Sequence, residues 1–376
     1  MTKAVKAGGA SKSFQHAAEQ MKDLAEVPMS HTQVARLTHE IGRGLAAERD
    51  QQAERHQRRD LPANAGQTPV ELALVEMDGG RQMTRARDQS RGVHDKQWKE
   101  PKVGVLWRMT GDTFDEDPHP KLPRCFEDRQ RVPKLVRDIH GSSGRSQEGD
   151  TDHGITLEDI TDPAKEDIGE EDAMASLGCE THRTECDDSP PSSAVISDSP
   201  PDAGRKKWQP RRLFRTCVAT LRDVSGFGLL LAAEAQHRGF YQAARQAFVG
   251  DGQEANWTVW RLHFPDFTPI TDFMHAVAYA YTAAQVMSGT EGPWAKYLDY
   301  ARAIWQGRVG EVIDELEAWL KEHPLPKGVP LKEISDQDER KILHESVTYI
   351  RNNQERMKYP EYRKQGMPVT SSLMNH

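Results

Sequence analysis

The stretch Leu72-Ala-Leu-Val-Glu-Met-Asp78-Gly79-Gly80 decides the fold, and the stretch Ala247-Phe-Val-Gly-Asp251-Gly252 repeats its pattern. In both, an apolar run ends in an Asp-Gly step, which predicts a buried β-strand closed by a turn. Asp-Gly is a preferred hairpin turn, so either step alone is more often an ordinary turn than a functional site. Two such steps, far apart in the sequence and each at a strand end, indicate carboxylates that converge.

Converging carboxylates are suited to a divalent metal ion. Hard cations such as Mg²⁺ prefer oxygen ligands and retain several waters, so two or three carboxylates suffice to hold them. Two such ions activate an attacking water or 3′-hydroxyl and stabilise the departing oxygen, and no protein nucleophile is needed. Asp78 and Asp251 are therefore the predicted catalytic and metal-binding residues, with Mg²⁺ or Mn²⁺ as the cofactor.

The composition bounds the class of protein. The chain has 376 residues, of which 36% are hydrophobic and 29% charged, so two or three soluble domains are expected. No apolar run is long enough to span a membrane, and the first residues lack the apolar core of a signal peptide. Four cysteines in a chain of this length do not form a disulfide framework. A cytoplasmic, nucleoid-associated protein with no membrane partner is predicted.

The acidic residues are concentrated in one block, so the net charge of −8 describes the rest of the chain poorly. From about residue 148 to 202 the chain is rich in Ser, Pro, Asp and Glu, which predicts a disordered acidic insertion. A basic run with interleaved aromatic residues follows at 205–215. Its cations are predicted to bind DNA: Arg205, Lys206, Lys207, Arg211 and Arg212.

The N-terminal region is predicted to be helical. Residues 13 to about 60 show helical periodicity, which Pro28 interrupts, and Ser30 is a good N-cap for the second helix. Two helices joined by a tight turn form a candidate helix-turn-helix. The second helix would then contact DNA through residues at its exposed start: His31, Thr32, Gln33 and Arg36. A plain helical hairpin with a solvated polar face explains the same pattern equally well.

The order of the remaining elements predicts the fold class. Apolar runs at 70–78, 102–107 and 214–221 precede a helical stretch at 226–238 and the run that ends at Asp251. Three strands, a helix and a further strand is the order of a ribonuclease-H-like core, a mixed sheet of the α/β (α+β) class. Helical patterns at 271–290, 294–322 and 333–357 follow it.

These patterns divide the chain into four regions. The candidate helix-turn-helix region covers 1–66 and the first part of the core 67–140. The disordered acidic insertion covers 141–206, and the second part of the core, with its helical insertion, covers 207–376.

Three further groups of polar residues are candidates for functional sites. Asp272 and His275 lie three apart on one face of a helix that begins there, which makes them accessory candidates. The alternative is that Asp272 stabilises the first turn of the helix and His275 is a polar surface residue. Cys179, His182 and Cys186 match no zinc-site spacing. The segment 115–119 is interpreted as a solvated loop.

Seven segments resemble the ISKra-type insertion-sequence transposases of bacteria, a family of DDE transposases. They occur in order over most of the chain outside the acidic insertion: 75–81 (VEMDGGR), 93–100 (VHDKQWKE), 115–120 (DEDPHP), 208–217 (WQPRRLFRTC), 248–252 (FVGDG), 272–275 (DFMH) and 362–369 (YRKQGMPV). The resemblance implies a helix-turn-helix that binds element ends and a ribonuclease-H-like catalytic core. Asp78 and Asp251 match the first two catalytic acids, and Asp272 and His275 resemble an Asp-x-x-His pair of related transposases.

The chain departs from this family at the third catalytic acid. In the family, a Gly-x-Pro-x-x-Ser segment leads into a helix whose early Glu is that acid, and here its position falls at or next to Asn375. An amide brings no charge to a metal ion, so a truncated and catalytically impaired copy is expected. The expected partners are DNA, as terminal repeats and target, and a second copy of the chain.

Two other functions remain open from the sequence. One is a non-catalytic DNA-binding remnant that occupies element ends or represses an intact copy. The other is a structural or partner-binding protein with no nucleic-acid role. Specific, salt-sensitive binding to a terminal repeat would exclude the second of these.

Overall fold

A computed structural model describes most of the chain outside the acidic block. The described ranges are 2–62, 69–79, 82–84, 97–99, 101–142, 208–288 and 292–371. Within them, side chains are described except at 78–79, 82–84, 97–99 and 141–142. The predicted acidic insertion, the cations at 205–207, the Cys179 group and Asn375 lie outside the described residues.

The chain forms a mixed α/β fold around a five-stranded sheet. Its strands are β1 (Leu72–Gly79), β4 (Lys102–Thr110), β5 (Arg211–Thr220), β6 (Arg245–Gly250) and β7 (Thr268–Thr271), in the order β5-β4-β1-β6-β7. The pairs β1–β4 and β4–β5 are antiparallel, whereas β1–β6 and β6–β7 are parallel. A separate two-stranded ribbon pairs β2 (Gln82–Thr84) with β3 (Gln97–Lys99).

Helices precede the sheet, connect its strands and follow it. They are α1 (Thr2–Ala10), α2 (Phe14–Ala25), α3 (His31–Gln57), α4 (Arg131–Ser142), α5 (Val224–His237), α6 (Glu254–His263), α7 (Phe273–Val286), α8 (Pro293–Trp305), α9 (Val309–Glu322), α10 (Glu339–Asn353) and α11 (Tyr359–Lys364). Short 3-10 turns lie at Arg124–Phe126, Phe240–Gln242, Leu331–Glu333 and Gln354–Arg356.

Alternation along β1 divides the core between the two faces of the sheet. Leu72 and Leu74 belong to one buried cluster, which α4 and α7 to α10 cover. Ala73 and Val75 belong to the other, which α5, α6 and part of α3 cover. Both faces are therefore buried, which is why β1 and β6 are near-continuous apolar runs instead of alternating ones.

An aromatic cluster fixes the start of α7 against the first face. The ring of Phe273 contacts Phe126, Trp305 and Tyr359 at centroid distances of 4.9, 4.8 and 5.1 Å, all in edge-to-face geometry. Phe273 is fully buried, and burial of such a ring contributes roughly 1.5–3 kcal/mol. The residue before it, Asp272, is held in place by the same packing.

The N-terminal helices α1, α2 and α3 pack on one another, and the second half of α3 packs against α5. Ser30 caps α3, and its side chain and that of Gln33 form the reciprocal bonds of a capping box, as the sequence favours. The helix runs on to Gln57, and its predicted apolar face is only partly buried, since Leu45 is 61% exposed. An ion pair of 2.7 Å between Asp50 and Arg222 ties α3 to the end of β5.

The predicted strands and most predicted helices are present, with differences at their ends. The single helix expected at 294–322 is two, because Gly307 adopts a φ of +77° between α8 and α9. The sequence did not predict strands β2, β3 and β7 or helices α4, α6 and α11, because they are short or because Pro interrupts their apolar pattern. The interpretation of 115–119 as a solvated loop is wrong for Asp117, which pairs with the fully buried Arg363 at 2.5 Å.

Candidate active site

Three aspartates lie at the ends of three neighbouring parallel strands, at the same edge of the sheet: Asp78 is near the end of β1, and Asp251 and Asp272 directly follow β6 and β7. The parallel pairing of β1 with β6 ends at Glu76 and Val249, and continuing the same register by two residues places Asp78 beside Asp251. Parallel neighbours are about 4.8 Å apart. Asp272 follows β7, and its N–H donates to the carbonyl of Gly250 at 2.8 Å.

Asp251 is held in a short loop between β6 and α6. Its Oδ1 accepts from the backbone N–H of Gln253 at 2.8 Å and from the side-chain amide of Asn256. Its carbonyl accepts from the hydroxyl of Tyr349 at 2.7 Å. These bonds fix the carboxylate at the end of its strand, where it is partly accessible.

The glycine of this Asp-Gly step is required by the loop. Gly252 has a φ of +95°, which side chains other than glycine rarely adopt. A Cβ atom at this position would lie 2.5 Å from the Tyr349 ring. The Asp251-Gly252 step is therefore a tight connection from β6 to α6 and not a hairpin turn, and it places Asp251 at the edge of the sheet.

Asp272 is a buried helix cap. Its Oδ1 accepts from the N–H of Met274 at 2.9 Å, and its Oδ2 accepts from the hydroxyl of Ser371 at 2.5 Å. The residue is 2% exposed, so both carboxylate oxygens are committed to the protein. His275 lies one turn further along α7 and is half-buried, and the described residues provide no hydrogen-bond partner for its ring. Asp272 therefore stabilises the start of α7, which is the alternative role that the sequence analysis gave for this residue.

Glu76 is a second buried carboxyl group that sequence reasoning did not single out. It lies on the same face of β1 as Leu72 and Leu74, 8% exposed, and accepts from the indole N–H of Trp107 at 2.8 Å. Its Oε1 is buried without a partner among the described residues. Burial, the largest cause, and the nearby Asp272 together raise the pKa of Glu76 to about 8, against the opposing effects of Trp107 and Arg212. A charged residue inside an apolar strand, two positions before Asp78, was the signal available.

Arg212 connects the Trp107 side chain beside Glu76 with Ser371, the last described residue of the chain. Its guanidinium lies over the Trp107 ring at 4.4 Å and donates to the carbonyl of Ser371 at 2.9 Å. Ser371 in turn binds Asp272, so the chain is fixed beside the carboxylate edge at this point. The residues that follow, including Asn375, lie outside the described part. The backbone of Arg212 lies opposite Met109, six residues along β4 from the partner of Asp78, so its side chain reaches the edge only through Ser371. Arg211 is exposed beside it.

The residue types at the edge fit a hard divalent cation. Asp78 and Asp251 offer oxygen ligands from adjacent strands, and β1 and β6 position their backbones independently of any ion. Among the described side chains, no three His, Cys, Asp or Glu residues come close enough to hold a metal ion. The side chain of Asp78 lies outside the described part and is not included in this comparison of distances.

The candidate DNA-binding residues of the N-terminal helices lie apart from this edge. All four, His31, Thr32, Gln33 and Arg36, are exposed in the first turns of α3. The side chain of Gln33 accepts from the N–H of Ser30 at 2.9 Å, so this residue is already engaged in the cap. The other three remain available to a ligand.

Comparison with models of protein families, with characterised proteins and with solved structures finds no match for this chain. Across the described residues, no helix combines the length and the apolar character needed to cross a bilayer.

Proposed function

We propose that the chain is a DNA transposase of the DDE type, built for metal-dependent cleavage and transfer of DNA strands at the ends of an insertion sequence. The observation that carries the proposal is the register of β1 and β6. Continued to the strand ends, this register puts Asp78 next to Asp251, although the two residues are 173 positions apart in the sequence. Two ligands of one metal ion require such proximity.

The topology supports a ribonuclease-H-like core. Counting the five sheet strands along the chain gives the spatial order 3-2-1-4-5, with the second strand antiparallel to its neighbours. The strand-end acids of the first and fourth strands are neighbours in that order. This arrangement supports the proposal for the two residues that the sequence pattern singles out, Asp78 and Asp251.

The roles of the residues follow from their surroundings. Asp78 and Asp251 would hold Mg²⁺ or Mn²⁺, which when bound lowers the pKa of an attacking water or hydroxyl and stabilises the leaving oxygen. Asp272 acts as a positioning residue, because its carboxylate fixes both the start of α7 and Ser371. Arg212 fixes Ser371 from the other side by donating to its carbonyl. The third acid would follow Ser371.

DNA is the proposed partner, in the bacterial cytoplasm. The exposed start of α3 would bind the terminal repeat as the second helix of a helix-turn-helix, with His31, Thr32 and Arg36 nearest the bases. The sheet edge would then receive the strand to be cut. Copies of the chain bound at the two element ends would assemble as a homo-oligomer.

A second candidate function is a DNA-binding protein that occupies element ends without cutting them. The observation that favours it is Asn375, which stands at or next to the position of the third acid. Two carboxylates can bind a divalent ion weakly, but an amide in place of the third leaves the developing charge less compensated. The chain alone is then expected to bind ends and to repress an intact relative.

The test uses DNA taken from both sides of the chain's own gene. DNase I footprinting should show protected segments in both flanks, weakened by salt, and Asp78→Asn and Asp251→Asn should leave the footprint unchanged. Strand nicking in Mn²⁺ that depends on Asp78 would select the enzyme, and footprints without nicking would select the repressor. Equal affinity for flanking and shuffled DNA at every salt concentration would contradict both.

A further inference from the structure

A cleft of about 610 Å³ lies at the opposite end of the sheet from the carboxylates. It opens between the loop that precedes α4, the end of α8 and the residues that lead into β5. Trp208 and Gln209 line it just before Arg211, which pairs with Thr110, whereas Asp78 pairs with Val103 at the other end of β4. Seven residues of strand separate the two places by roughly 23 Å. The cleft is therefore not part of the candidate active site.

The walls of this cleft carry an excess of positive charge. Lys121, Arg124, Arg131 and Arg302 line it with a single acid, Glu127. Glu127 pairs with Arg302 at 2.8 Å. Lys121, Arg124 and Arg131 form no salt bridge with any described residue, and the Asp128 carboxylate near Arg131 accepts from its backbone N–H. The cations of the lining therefore outnumber its acids. Such a group attracts anions and is suited to phosphate oxygens.

An aromatic wall lies beside these cations. The half-buried Trp208 contacts His119 at a centroid distance of 4.9 Å and Trp305 at 6.1 Å. The backbone at His119 is fixed in turn, because its carbonyl accepts from the indole N–H of Trp305 at 2.9 Å. The Nδ1 atom of His119 is buried without a partner among the described residues. The wall thus presents a fixed aromatic ring beside the cations.

We infer that this cleft binds a single-stranded nucleic-acid segment, with phosphates on Lys121, Arg124 and Arg131 and an unpaired base against Trp208. Cations that follow the backbone, next to an aromatic platform for a base, are the two elements of sequence-tolerant single-strand binding. A duplex keeps its bases stacked internally, so Trp208 would contribute little to duplex binding. The inference concerns a site separate from the metal ligands and does not depend on cleavage.

The first test measures salt dependence with a fluorescein-labelled oligothymidylate of about twelve nucleotides. Fluorescence anisotropy titrations on the full chain, without metal, give the slope of log affinity against log salt. The triple variant K121A/R124A/R131A should lower this slope by about 2, since each lost single-strand phosphate contact removes about 0.7. The matched control K321A/K327A/K332A removes the same charge from exposed lysines elsewhere and should leave the slope unchanged. Equal slopes for the two triple variants would overturn the inference.

The second test separates stacking from charge. Trp208→Ala should weaken oligothymidylate binding by about 5- to 150-fold, and Trp208→Phe, which retains a ring, should stay within about fivefold of the unchanged chain. Thermal unfolding of both variants shows whether the Ala change disturbs the fold. Equal affinities for Phe and Ala variants of equal stability would overturn the base-stacking role.

Duplex and inorganic competitors complete the assignment. A blunt duplex of the same length should be insensitive to Trp208→Ala, and pyrophosphate should compete only at much higher concentration than the oligonucleotide. Pyrophosphate competition as strong as that of the oligonucleotide would show an anion site alone and would also contradict the inference. None of these outcomes bears on Asp78 or Asp251, so the proposed transposase function stands or falls separately.

Discussion

Replacing Glu76 with Gln should remove the loss of folding stability that ionisation of this carboxyl group causes between pH 4.5 and 8. Glu76 is buried on β1, one of its oxygens has no partner among the described residues, and burial raises its pKa to about 8 from an ordinary value of 4.5. Below pH 4.5 the carboxyl is protonated in both the folded and the unfolded chain. Between pH 4.5 and 8 it is ionised only in the unfolded chain, so the free energy of unfolding falls as the pH rises.

The size of this effect follows from the pKa difference. Each pKa unit corresponds to about 1.4 kcal/mol, so the raised pKa lowers the free energy of unfolding by up to about 5 kcal/mol at pH 8. Gln has a similar shape and can still accept from the Trp107 indole, but it does not ionise. Glu76→Gln should therefore be more stable than the unchanged chain at pH 8, and this advantage should shrink towards pH 4.5.

Urea denaturation in EDTA at pH 4.5, 6, 7 and 8 measures this difference. Burial also lowers the pKa of His56 and His263, which makes stability rise with pH near their titration, but both proteins share that contribution. Glu322→Gln, at an exposed position, is the control for the loss of a carboxylate. A stability difference between Glu76→Gln and the unchanged chain that stays constant from pH 4.5 to 8 would refute the reasoning.

Three further predictions concern the structure around the edge, each measured by urea denaturation. Gly252→Ala should lower the free energy of unfolding by about 2–5 kcal/mol, because it adds a clash with the Tyr349 ring to backbone strain. Gly239→Ala has the same strain from a positive φ but no clash, so it should cost only about 1–2 kcal/mol. Equal costs would show that the clash is absent. Asp272→Ala should cost about 2–4 kcal/mol, since a buried cap and a hydroxyl partner are lost, against about 1 for the exposed cap Asp223→Ala. Similar values would show that the Ser371 bond contributes little. Arg363→Met should cost about 3–5 kcal/mol, because it leaves its aspartate partner without a charge to pair with; an unchanged midpoint would show that this ion pair is dispensable.

The strands that build the edge were predictable because their signals are local. The apolar runs before Asp78 and Asp251 become β1 and β6, since both faces of the sheet are buried and the pattern needs no partner information. The Ser30 capping box was predictable for the same reason, because its two bonds join residues three apart. The parallel pairing of the two strands is tertiary, and only the assumed topology brought their ends together.

The features that were not predicted depend on contacts between distant segments. In the sequence, Glu76 is only a polar residue within an apolar strand. Its raised pKa depends on burial and on the tertiary neighbours Trp107 and Asp272, which the local sequence does not show. Asp117 lies in a polar loop by sequence, yet it pairs with Arg363, which is 246 residues away. In the same way, the basic cleft gathers cations from the chain on both sides of the acidic block. No local pattern contains this information.

The central claim is that Asp78 and Asp251 together hold a divalent cation, and Mn²⁺ binding tests it without any requirement for cleavage. Titration of the full chain with Mn²⁺, followed by electron paramagnetic resonance of the free ion, gives the number and affinity of sites. Asp78→Asn and Asp251→Asn should each weaken the tightest site at least tenfold, and Asp314→Asn on α9 should not. Mn²⁺ binding of equal affinity in all four proteins, or no binding to the unchanged chain, would contradict the account.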